Sequence, residues 1–181
     1  MAHRLQKGRS VRQAGFTLLE IIIAVALIGV LAAIAVTSFS KQTRKARGSE
    51  VQAMFMALRT AQEQYHLENG QYLSTGSSET DTWPATPTRT AQNLLPLPTE
   101  WAPLKVRLPS ETAYCGYVTM AGGAGVAPGG TKAAEFGLTT APSTDWYYLL
   151  AHCDLDGNGS RDSYYFSWSG DTKVQKQNEG Y

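Results

Sequence analysis

No excess of charge of either sign marks this sequence, which sets 16 Lys and Arg against 15 Asp and Glu. A net charge of +1 offers no global attraction for a nucleic acid backbone. Cysteine is scarce, with only Cys115 and Cys153, so one disulfide is the most the chain can form within itself. The three histidines, His3, His66 and His152, are scattered and make no ligand spacing. No nucleophile elbow, no phosphate-binding glycine loop and no pair of catalytic carboxylates is present. The chain therefore reads as something other than an enzyme.

What is present is unevenly spread. The first fifteen residues carry Arg4, Lys7, Arg9 and Arg12 and no acid, which leaves the remainder mildly acidic. Residues 16–36 are almost wholly apolar, whereas the region beyond them is polar and rich in Gly, Thr and Ser. One membrane segment joined to one soluble domain accounts for both asymmetries. As a helix, 16–36 reaches about 30 Å, the thickness of a bilayer's hydrocarbon core. A cleaved secretory signal has a shorter apolar core, and here a helical pattern continues past the run.

Lys41, Arg44, Lys45 and Arg47 follow the span, and then Val51, Phe55, Leu58, Ala61 and Tyr65 recur at spacings of three and four. That is an apolar stripe on one helix face. Asn69-Gly70 supplies a helix stop. One helix from Phe16 to about Glu68 is predicted, amphipathic over 37–68, with Gly48 as a soft spot costing about 1 kcal/mol relative to Ala. The basic run is read as lysines and arginines snorkelling at a membrane edge, in preference to a contact with DNA or anionic lipid.

Residues 69–110 hold six of the eight prolines and are read as an extended connector with little regular structure. Over 111–181, Ala113–Met120, Trp146–Cys153 and Tyr164–Trp168 read as strands, with a weaker run at Thr172–Gln175 and a glycine-rich loop at 121–130. The aromatic residues Trp146, Tyr147, Tyr148, Tyr164, Tyr165 and Trp168 are read as core and sheet-face residues. The predicted fold class is α+β, a long N-terminal helix packed on a small antiparallel sheet. Cys115 and Cys153 are expected to pair provided that the domain lies outside the cytoplasm, two free thiols being the alternative. That bond would close a loop of about 40 residues, worth about 3–4 kcal/mol by chain entropy.

The segment that carries function is Gly15-Phe16-Thr17-Leu18-Leu19-Glu20, after the basic leader 1–15 and opening directly into the apolar run. Glu20 is the odd residue. An acid inside a bilayer costs on the order of 3 kcal/mol, and such residues are seldom idle. The segment resembles the prepilin signature of type IV pilins and type II secretion pseudopilins. The resemblance extends over residues 1–68 and includes the helix-ending Glu68-Asn69-Gly70-Gln71-Tyr72.

It implies a type IV pilin-like fold and cleavage by a prepilin peptidase between Gly15 and Phe16, with Phe16 N-methylated. It further implies that Glu20 pairs with the amino terminus of a neighbouring subunit during assembly, and a buried carboxylate does need such a partner. The expected partners are other pilins, copies of the same chain, the peptidase, the inner-membrane assembly machinery and the membrane itself. Nucleic acid is not among them. The expected location is the inner membrane for the precursor, and then a surface filament or a periplasmic pseudopilus. Many pilins have a proline where Thr37 stands, and its absence favours an unbroken helix here.

A second pattern lies at Asp154-Leu-Asp156-Gly-Asn158-Gly159-Ser-Arg-Asp162. Oxygen-bearing side chains at alternate positions, with Gly159 sixth, match the first half of a calcium loop. Tyr165 stands where the bidentate glutamate belongs, so the loop is either a partial calcium cage or a plain hairpin turn built on Asn158-Gly159. Calcium is the one candidate cofactor.

Overall fold

A long apolar run without proline, preceded by a threonine, has the makings of a helix start. In the computed structural model, which describes residues 15–180, α1 runs from Leu18 to Gly48. It passes Gly29 and Thr37 without a break. α2 spans Glu50–Asn69 and closes on Gly70 in the left-handed conformation, whose N–H bonds the His66 carbonyl at 2.7 Å. Only Ser49 separates the two helices, and its own backbone is right-handed helical. The expected single helix is thus found from Leu18 to Asn69, with one irregular residue at Ser49. There the Ser49 hydroxyl donates to the Ala46 carbonyl, 2.7 Å away, and competes with the regular ladder.

The chain forms two compact units, one ending at Phe39 and one from Ser40 onward. The described part of the first is residues 15–39. The second holds a four-stranded antiparallel sheet in chain order. Its strands are β3 (Gly116–Gly122), β4 (Trp146–Cys153), β5 (Ser163–Trp168) and β6 (Asp171–Gln177), after the two-residue pair β1 (Gln92–Asn93) and β2 (Thr112–Ala113). A register shift lies between Phe166 and Trp168, next to the tight β5–β6 turn.

β4 is apolar along nearly its whole length because both of its faces are covered. Tyr147, Leu149 and Ala151 pack with Val51, Phe55 and Leu58 of α2. Trp146, Tyr148 and Leu150 pack with Val118, Ala133 and Phe166 on the opposite face. The period of two in a strand divides these side chains between the two clusters. Ala133 comes from α3 (Thr131–Glu135), a short helix that the glycine-rich loop conceals in the sequence.

The α2 stripe is buried at Val51, Met54, Phe55, Leu58 and Ala61 as its spacing predicts, but Gln62 and not Tyr65 completes it. Gln62 is fully buried, because its amide donates to the Leu73 carbonyl and to Thr119 Oγ1 at 2.9 Å and accepts from the Leu73 N–H at 3.0 Å. Residues 69–110 also depart from the reading as a mere connector. They contain β1 and a 3₁₀ turn at Thr99–Leu104, and they bury Leu94, Trp101 and Leu104. Turn composition concealed a third wall of the core, since prolines bend a segment without preventing its apolar residues from packing.

Candidate processing and assembly site

At the N-terminal end, Gly15, Phe16 and Thr17 precede α1 and are exposed. Thr17 Oγ1 accepts the Glu20 backbone N–H at 3.2 Å, and the Thr17 carbonyl accepts the Ile21 N–H at 3.3 Å. Thr17 is therefore the helix cap and Glu20 stands at its third helical position, where acidic or amide side chains complete a capping box. The Thr17-x-x-Glu20 spacing carried this signal, and the sequence reading did not use it. A side chain at Gly15 would meet nothing within 4 Å among the described residues.

Every described residue from 15 to 36 is exposed, with Phe16 and Leu18 each at 78%. The helix carrying them is long and apolar enough to cross a membrane. Leaving such a surface in water is costly, at about 25 cal/mol per Å² of apolar area. It is a surface for lipid or for other helices, with one carboxylate near its start.

In the second unit, Cys115 and Cys153 are joined in a disulfide. They stand one step beyond the Gly116–His152 pair of the β3–β4 ladder, so the bond links the start of β3 to the end of β4. Beside it lies a group the sequence reading missed. Glu50 Oε1 accepts the N–H groups of Tyr114 (2.8 Å) and Cys115 (3.0 Å) and the hydroxyl of Tyr117 (3.0 Å). Burial raises the Glu50 pKa above the ordinary value, and these three donors oppose the rise.

The basic run after the span is also put to use. Arg44 Nε donates to the Gly180 carbonyl at 2.7 Å, Arg47 donates to the Arg89 carbonyl at 2.9 Å, and Lys45 pairs with Glu179. Snorkelling chemistry is therefore not needed for these three, which fasten the C-terminal residues and the 69–110 segment to the helix.

In the 154–162 turn, side-chain oxygens face inward on the loop's own N–H groups. Asp154 accepts from Gly157 (2.7 Å), Asp156 from Asn158 (3.1 Å), and Asn158 from Ser160 (2.8 Å). Asp162 Oδ2 bonds His152 Nε2 at 2.5 Å, while its Oδ1 is buried with no hydrogen-bond partner. Among the described residues no three His, Cys, Asp or Glu side chains come together as a metal cluster. An ion in this turn would compete with the loop's own N–H groups for Asp156, while Asp162 offers a buried oxygen with no hydrogen-bond partner among the described residues.

The family described as "Prokaryotic N-terminal methylation motif" matches residues 11–36. The chain is similar to the type IV major pilin protein PilA of Myxococcus xanthus, 44% identical over 61 residues, which is 34% of this chain and 28% of that one. It is also similar to a fimbrial protein of Neisseria meningitidis serogroup A, 35% identical over 66 residues, 36% of this chain and 39% of the relative. Type II secretion system core protein G of Klebsiella pneumoniae is 39% identical over 64 residues, 35% of this chain and 46% of the relative. The matches thus span less than half of each relative's length. No solved structure matches the chain.

Proposed function

We infer that this chain, which belongs to the superfamily of type IV pilins and type II secretion pseudopilins, is a structural subunit, major or minor, of a type IV pilus filament. The observation that carries the reading is Glu20, an exposed carboxylate near the start of an otherwise apolar, uncovered helix that begins immediately after Gly15-Phe16. A simple membrane anchor gains nothing from an acid there. A polymer does, because the amino group freed by cleavage is a cation that the carboxylate of the next subunit can bond in a medium of low dielectric.

In this reading the peptidase cuts after Gly15, Phe16 becomes the N-methylated first residue, and residues 16–36 hold the precursor in the inner membrane before packing in the filament. The partners are other pilins, the peptidase and the inner-membrane assembly machinery. The chain has no catalytic role. The match of residues 11–36 to the N-terminal methylation motif supports the cleavage site.

A pseudopilus of type II secretion is the second reading, favoured by the similarity to core protein G. Intact-mass measurement of sheared filaments and of membranes tests processing: the expected species begins at N-methylated Phe16. Met1 retained in assembled material would overturn the proposal. Abundance in the sheared surface fraction of a wild-type strain, absent from a deletion strain, assigns the pilus. Confinement to the periplasm with loss of exoprotein secretion assigns the pseudopilus.

A further inference from the structure

Two stretches of the 69–110 segment, 74–83 and 98–101, line an open cleft of about 510 Å³. Its apolar wall is Trp83, half-buried, and Trp101, buried. Asp81 and Glu100, both exposed carboxylates, also line it, and no Lys, Arg or His does. Neither carboxylate forms an ion pair among the described residues.

The hydroxyls that line the cleft are already committed. Ser77 Oγ donates to Asp81 Oδ2, Thr82 Oγ1 to the Pro84 carbonyl at 3.1 Å, and Ser74 Oγ to the Ala121 carbonyl at 3.5 Å. Asp81 Oδ2 accepts twice more, from the N–H groups of Ser77 (2.8 Å) and Ser78 (3.0 Å), and these bonds hold the Asp81 carboxyl below the usual range. Gly76 is required for this closure, because a Cβ there would lie 2.7 Å from the Asp81 Cβ. What remains for a ligand is Asp81 Oδ1, Glu100 Oε2 and an indole surface: acceptors, negative charge and a π-face.

A sugar hydroxyl both donates and accepts, and carries no charge to set against two carboxylates. An ammonium or guanidinium group only donates, is positive, and is attracted to indole faces. We propose that this cleft binds a small organic cation, an alkylammonium or a guanidinium, between Asp81 and Glu100 with its apolar part on Trp83. The site is independent of the N-terminal polymerisation segment, so its failure leaves the pilin reading intact and the reverse is also true.

The test uses the full chain, labelled with ¹⁵N at tryptophan, in a neutral maltoside detergent. Butylammonium and methylguanidinium are titrated beside methyl β-glucoside. Saturable movement of the Trp83 indole resonance is expected with the two cations, weakened by added salt, and absent with the glucoside. Glu100→Gln, which alters an exposed residue bonded only to its neighbour Thr99, is expected to weaken binding about tenfold, as loss of one charge-assisted contact implies. Asp81→Asn should do the same with the remaining indole resonances unmoved. Saturation by the glucoside, no saturable shift with either cation, or unchanged affinity in Glu100→Gln would each overturn the assignment.

Discussion

Gly48 faces the hydroxyl of Tyr165, and a Cβ built on Gly48 would overlap that oxygen and stand 3.1 Å from Cζ of the ring. The soft spot in the helix is a place where it lies against a residue of the sheet. Tyr165 is 1% exposed and its hydroxyl is buried without a partner, and burial raises its pKa to about 12. Helix propensity alone makes Gly48→Ala stabilising by about 1 kcal/mol. The contact reverses the sign, and a net loss of about 1–2 kcal/mol is expected. Tyr165→Phe removes an unbonded polar atom and should be neutral or stabilising. The double variant should recover most of the loss, and denaturant melts in a double-mutant cycle measure that coupling. Additive effects would show that Gly48 is there for another reason.

Glu50 makes a second measurable prediction. Its folded pKa is raised above 4.5 by burial, so the fold favours the protonated form. The stability this contributes is fully present below the unfolded pKa and is lost as pH rises through the folded value. Glu50→Gln keeps an oxygen for Tyr114, Cys115 and Tyr117 and does not titrate. The melting temperature of Glu50→Gln relative to wild type should therefore be higher at pH 7 than at pH 4. Glu50→Ala strands three donors and should cost about 1–3 kcal/mol at either pH. A Gln-to-wild-type difference that does not vary with pH would refute the burial argument.

For Glu20, the capping geometry sharpens the choice of variant. Gln serves the third helical position as Glu does, so Glu20→Gln isolates the charge from the cap. The variant should be inserted, cleaved and stable in the inner membrane, with recovery in sheared filaments reduced about tenfold or more, the effect of losing one charge-assisted bond. Incorporation has to be scored on this protein itself, because a subunit that enters only at a filament tip leaves total filament number unchanged. Wild-type recovery would remove the most specific support for polymerisation.

The calcium reading of the 154–162 turn stands or falls on mass action. If the ion binds only the folded chain, calcium at about a hundred times its dissociation constant should add about 2.7 kcal/mol of stability. Asp156→Ala should abolish that increment with the disulfide-linked sheet otherwise intact. Identical melting curves with calcium and with chelator would leave an ordinary Asx-bonded turn.

Much of this was legible one residue at a time. The apolar run follows from local composition, as do the α2 stripe, its Asn69-Gly70 stop and three of the four main strands to within a few residues, while the leader read over residues 1–15 lies almost wholly outside the described residues. Helical and strand periodicities are properties of adjacent residues and need no tertiary context. The pairing of Cys115 with Cys153 was also foreseen, because two cysteines allow one bond.

Long-range apposition settled the rest. Nothing in the residues around Gly48 announces Tyr165, and nothing around Glu50 announces the N–H groups of Tyr114 and Cys115, which lie 64 and 65 positions away. The proline-rich 69–110 segment looked like a tether and proved to bury Leu94, Trp101 and Leu104, since turn residues determine where a chain bends and not what it packs against. Sequence alone determined the apolar N-terminal helix, the Gly15–Glu20 motif as a pattern and the alternation of the strands, because those depend on neighbours in the chain. Only the tertiary structure decided which carboxylate is buried and that Gly48 stands against a tyrosine, and it alone brought Asp81, Trp83, Glu100 and Trp101 around one cleft. Burial and close approach are properties of pairs of residues far apart in the chain, and one-dimensional patterns do not encode them.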